Sequence, residues 1–87
     1  MRAIEVNSYS IMITTEQMKA ARALLHWDQS ELAERAGIGG STLKRIEARP
    51  GIIQGNARTA YAIEECLKAA GIFFIDEDGR IGVSLKR

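Results

Sequence analysis

The stretch from Asp28 to Glu47, DQSELAERAGIGGSTLKRIE, leaves little freedom in how this chain can fold. Asp28 followed three residues later by Glu31 is a helix start, a side-chain oxygen serving the third free amide. A helix is predicted over Gln29–Ala36, with Leu32, Ala33 and Ala36 facing inward. Gly37 comes next, where a left-handed residue ends a helix at small cost. A second short helix is predicted over Gly40–Ala48, anchored by Leu43 and Ile46 and stopped by Pro50-Gly51. Two short helices joined so tightly must cross steeply, and Ala33 supplies the small side chain their closest approach needs. Ile38, Leu43 and Ile46 then close a small core beneath the second helix. Its outward residues are Gly40, Ser41, Lys44 and Arg45. That face is short, polar and basic, and suits a groove about 12 Å wide.

The flanks extend this unit. Thr14 and Gln17 fit a capping box, and Ile13 with Met18 a hydrophobic staple, so a helix is predicted over Thr15–His26. Met18, Ala21, Leu24 and Leu25 form its apolar stripe. Asn56 caps a fourth helix over Ala57–Ala70, with Ala60, Ile63, Leu67 and Ala70 inward and Gly71 after its end. The period then changes. Ile72–Glu77 and Arg80–Leu85 flank Asp78-Gly79, a hairpin signal that pairs Glu77 with Arg80, Phe74 with Val83 and Ile72 with Leu85. Ile72, Phe74, Ile81, Val83 and Leu85 share one face with Asp76, while Phe73 and Ile75 lie on the other. A hairpin apolar on both faces needs cover on both sides. Residues 1–13, with Ile4 and Val6 two apart, read as an arm or strand. The expected fold is mainly α: a four-helix domain over 14–71 with a C-terminal β-hairpin over 72–87.

At 87 residues the chain makes one small domain, which favours a binding or regulatory module over an enzyme with a walled-off active site. Net charge is only +1, but it is unevenly spread. From Gly39 to Arg58, Lys44, Arg45, Arg49 and Arg58 outweigh Glu47 by three. From Thr59 to Gly79, Lys68 falls four short of Glu64, Glu65, Asp76, Glu77 and Asp78. Such polarity either orients a protein on a phosphate backbone or belongs to two solvated faces. The single Cys66 cannot form an internal disulfide, and neither a membrane-length apolar run nor a signal peptide is evident, so the cytoplasm is expected. No acid–base pair, nucleophile or metal spacing points to catalysis, and no metal or cofactor is called for. His26 reads as a helix-end residue, Trp27 as a plug between the first two helices, and Cys66 as a packing thiol. Asp76-x-Asp78-Gly79 lacks the distant glutamate of a calcium loop and reads as a turn.

Residues 14–49 resemble the phage repressor/Cro type of helix-turn-helix, the xenobiotic-response-element family of bacterial and phage regulators. Gln29, the run Glu31-Leu32-Ala33-Glu34-Arg35-Ala36-Gly37 and the run Ser41-Thr42-Leu43-Lys44-Arg45-Ile46-Glu47 carry the likeness, which extends more loosely to Gly71. The resemblance implies double-stranded DNA as partner and a role in transcription, as a repressor. Gln29 would hold a backbone phosphate. Gly40, Ser41 and Thr42 would reach base edges, Lys44 and Arg45 a base or a phosphate, and Arg49, Asn56 and Arg58 would clamp phosphate. It also suggests a start near Met12. One departure stands out: Gly39-Gly40 fills positions where relatives carry a capping hydroxyl and a base-reading side chain. Either the backbone approaches DNA more closely, or direct readout is thin and rests on Arg45 and DNA shape, or the helix starts late, near Ser41. Half-sites usually require two copies, so a homodimer through Phe73, Phe74, Ile75 and Val83 is expected. The competing expectations are that the N-terminal segment covers that face, or that the chain is an antitoxin-like module whose hairpin holds a protein partner.

Overall fold

A computed structural model describes residues 13–87, so the arm or strand expected before Ile13 lies outside the described residues. Four helices, α1 (Thr15–Leu25), α2 (Gln29–Ala36), α3 (Gly40–Glu47) and α4 (Ala57–Ala69), precede strands β1 (Ile72–Glu77) and β2 (Arg80–Leu85). The strands pair antiparallel in the expected register, Ile72 with Leu85, Phe74 with Val83 and Glu77 with Arg80. Asp78 and Gly79 both have positive φ (54° and 73°), as a two-residue hairpin turn of matching twist requires.

Helix starts follow the expected chemistry. Thr14 and Gln17 form a complete capping box, Asp28 accepts from the Glu31 amide at 2.8 Å, and Asn56 accepts from the Thr59 amide at 2.8 Å. Glu31 does not reach back to complete a second box; its carboxylate binds Arg35, one turn on. α1 ends one residue earlier than expected because His26 takes the left-handed conformation (φ 61°) that closes the helix.

One core joins helices and hairpin. Met18, Leu32, Leu43, Ile63, Leu67 and Ile72 are essentially sealed from solvent, and Phe74 lies with them. Each such side chain contributes about 1.5–3 kcal/mol by leaving water. Leu24, expected in the α1 stripe, is instead exposed, because Met18, Ala21 and Leu25 already define the covered side of the helix. Ile81 is also exposed, since the turn end of the hairpin extends past the helices that cover Val83 and Leu85.

Gln17 does more than cap. It is buried, its carbonyl oxygen accepts from the Thr14 amide at 2.9 Å, and its amide nitrogen donates to Ile75 O at 3.0 Å and Gly82 O at 2.9 Å. One side chain thus fastens α1 to both strands, using both amide protons. At the other end of the hairpin, Gly71 (φ 105°) lies so close to the chain end that a Cβ there would stand 2.7 Å from Lys86 O. The loop after α3 is tied to the start of α1 by Thr15 Oγ1 donating to Arg49 O (2.6 Å), Thr15 N to Gly51 O (2.8 Å) and Ile53 N to Ile13 O (3.1 Å).

Candidate nucleic-acid interface

Along α3 the side chains divide by helical period. Leu43, Ile46 and Glu47 are buried, while Gly40, Ser41, Lys44 and Arg45 are exposed and Thr42 is half-buried. The inward set fixes the helix to α2 across the Gly37–Gly39 turn, and Gly37 adopts φ 73° to make that turn. The outward set is the basic face expected from the sequence.

The pose of α3 depends on a charge cluster that the sequence reading did not pick out. Glu47, at the end of the buried stripe, accepts from Arg22 Nε (2.8 Å) and Nη2 (2.7 Å), and from Gln29 Nε2 at 2.9 Å. Arg22 also donates to Trp27 O at 3.1 Å. Side-chain exposure is 18% for Arg22 and 2% for Glu47. Two parallel charge-assisted bonds, with the remaining acceptor capacity shared by Gln29, meet the condition under which a buried carboxylate can persist. The cluster connects α1, the start of α2 and the end of α3, and so fixes the angle at which α3 is presented. A signal for it was present in the sequence: Glu47 falls four residues after Leu43, and Arg22 four after Met18, so opposite charges sit on two stripes that must face inward.

Two open clefts flank α3. One, of about 540 Å³, is bordered by Gln29 and Ser30 of α2 and by Gly40, Ser41, Lys44 and Arg45 of α3. The other, of about 270 Å³, lies between α3 and the start of α4 and includes Thr42, Arg45, Arg49, Gln54 and Asn56. Arg45 borders both. Arg58 is exposed but borders neither cleft. Three of the expected phosphate-holding groups already have partners. One Gln29 N–H is spent on Glu47, Arg49 Nη1 donates to Gln54 Oε1 at 3.1 Å, and the Asn56 oxygen caps α4. Each retains further donors, the second amide proton of Gln29 and the NH₂ of Asn56 among them.

The family pattern described as helix-turn-helix matches residues 18–69, from within α1 to the end of α4. The chain belongs to the helix-turn-helix family of the phage repressor and Cro type. DNA binding in transcription regulation is therefore the general role of this helix-turn-helix chain. Compared with individually curated proteins, the sequence finds no match. No helix among the described residues is long and apolar enough to cross a membrane.

The four residues expected at a dimer contact divide. Phe73 is exposed and Ile75 half-buried on the outer face of the hairpin. Phe74 is a correction: it is 2% exposed and belongs to the chain's own core, because the alternation of the strand turns it toward the helices. Val83, its cross-strand partner, packs against the same core. Phe74 cannot meet a second copy without opening the domain, whereas Val83 stays half-buried. Away from the basic face, the Arg35 guanidinium stacks on the Trp27 ring at 4.5 Å, in a shallow cleft beside Cys66. Burial pushes the Cys66 thiol above its ordinary pKa, with Arg35 opposing, which suits a packing thiol rather than a reactive one.

Proposed function

We propose that the chain is a cytoplasmic, sequence-specific repressor that lays α3 (Gly40–Glu47) in the major groove of double-stranded DNA. The carrying observation is the division of α3, with Ser41, Lys44 and Arg45 outward and Leu43 and Ile46 sealed inside. Arg45, which borders both clefts, makes the largest contribution to base selection through its planar fork, with Ser41 and Thr42 reaching neighbouring edges. Lys44 contacts phosphate. Gln29 on one side, and Arg49, Asn56 and Arg58 on the other, hold the backbone, aided by the free amides at the start of α4. The test is a binding titration on a duplex selected from a random-sequence library and on its scrambled version. Arg45→Ala should reduce the separation between the two by about 1–3 kcal/mol. Lys44→Ala should weaken both alike and flatten the salt dependence. Arg45→Ala that leaves the separation intact would refute the assignment.

Two half-sites call for two copies, and the outer hairpin face with Phe73 and Ile75 is the surface proposed for a homodimer. The exposure of Phe73 (48%) on that face also favours a second reading, in which the surface holds a different protein, as an antitoxin-like module would. Deleting the hairpin cannot separate the two, because Ile72 and Phe74 are core residues. Phe73→Lys can. Sedimentation of the variant as a monomer where the parent is a dimer supports self-association. A parent that is strictly monomeric at tens of micromolar, with and without DNA, rules it out.

A further inference from the structure

Five of the eight glycines take a positive φ that explains their presence. Gly39, Gly40 and Gly82 do not, and the first two open α3. Gly39, the N-cap of α3, has φ −69° and ψ 145°, a conformation open to any residue. A Cβ at Gly39 would meet only Thr42 Oγ1, at an ordinary 3.7 Å, and a Cβ at Gly40 would meet nothing within 4 Å. Neither backbone geometry nor internal packing therefore requires a glycine at either position. Both choices work against folding: the helix receives no side-chain cap, and glycine is a poor residue for its first turn. Gly40 borders the 540 Å³ cleft that faces outward between α2 and α3, beside Lys44 and Arg45. The empty space at Gly40 thus lies on the basic face, where the proposed partner sits.

We propose that Gly40, with Gly39 beside it, is a close-approach position, where the bare backbone of the first α3 turn seats directly against the duplex. The inference rests on the DNA reading above and adds to it that affinity depends on an absent side chain. A Cβ at Gly40 would hold the helix off by roughly the width of a methyl group. Contacts made further along α3 by Lys44 and Arg45 would lengthen together, because the helix is rigid and fixed at its far end by Glu47 and Arg22.

The experiment uses the full chain and a duplex selected with it from a random-sequence library. Gly40→Ala and Gly40→Ser are each measured for thermal stability and for affinity. The expected result is a melting temperature unchanged or raised by about 2–6 °C, with affinity lowered about tenfold or more and Gly40→Ser at least as weak as Gly40→Ala. Affinity retained within about twofold in both variants overturns the inference, as does a fall in melting temperature, which would show an internal need for glycine. Failure of the DNA reading looks different: the parent chain then selects no duplex, or Lys44→Ala and Arg45→Ala bind as the parent does.

Discussion

Replacing Glu47 by alanine removes the acceptor of three hydrogen bonds at once, two from Arg22 and one from Gln29. Taking one partner from a buried ion pair typically costs about 3–5 kcal/mol, most of it the burden of the charge left behind. Arg22 retains 18% side-chain exposure and its bond to Trp27 O, so water can reach part of the guanidinium and the lower end, about 3 kcal/mol, is expected. For a domain of this size, that lowers the melting temperature by about 12–24 °C. The decisive comparison is the double variant Arg22→Met, Glu47→Leu. If the single loss reflects an uncompensated charge, replacing both groups with apolar ones should restore most of the stability, to within about 1 kcal/mol of the parent. Urea unfolding of parent, single and double variants measures all three under one protocol. A Glu47→Ala cost below about 1 kcal/mol, or a double variant as unstable as the single, would refute the reasoning.

Four further outcomes follow from other contacts. Gln17→Glu replaces two donors by acceptors opposite Ile75 O and Gly82 O and should cost about 2–3 kcal/mol in urea unfolding, with the hairpin amides losing hydrogen-exchange protection first. His26→Gly removes the penalty of a left-handed non-glycine residue and should stabilise by about 1 kcal/mol, read as a higher melting temperature. Gly71→Ala, strained at φ 105° and pressed against Lys86 O, should destabilise by about 2 kcal/mol or more in the same assay. Glu64 is 2% exposed with neither carboxylate oxygen hydrogen-bonded among the described residues, and burial raises its pKa despite Lys68 at 3.8 Å. The folded chain then holds this proton more tightly than the unfolded chain, so the residue's cost appears as pH rises through its folded value. Glu64→Gln should therefore be the more stable protein at neutral pH, with the advantage vanishing below the ordinary glutamate value of 4.5.

Local signals in the sequence specify the structure where short-range chemistry decides the outcome. Caps at Thr14, Asp28 and Asn56, the turn at Gly37 and the Asp78-Gly79 hairpin each depend on residues within a few positions, and all lie where expected. The outward face of α3 was legible for the same reason, since helical period alone separates Ser41, Lys44 and Arg45 from Leu43 and Ile46. What escaped was long-range pairing. Glu47 counted as one charge among a basic run, and Arg22 drew no attention, because their meeting depends on how α1 and α3 cross. Gln17 was understood as a cap, but its free amide protons find the hairpin only once α1 lies against it. Strand alternation opposes Phe74 to Phe73, but which of the two faces the helices cover is decided by tertiary packing, and it is the Phe74 face.

The most direct test of the DNA assignment is a map of backbone amide shifts as a library-selected duplex is titrated into the labelled protein. Large changes should concentrate at Gln29, Gly40–Arg45 and the start of α4 near Asn56 and Arg58, with the β1–β2 hairpin little affected beyond its own self-association. Changes centred on the hairpin, with the amides of α3 undisturbed at saturation, would contradict the claim that this helix enters the groove.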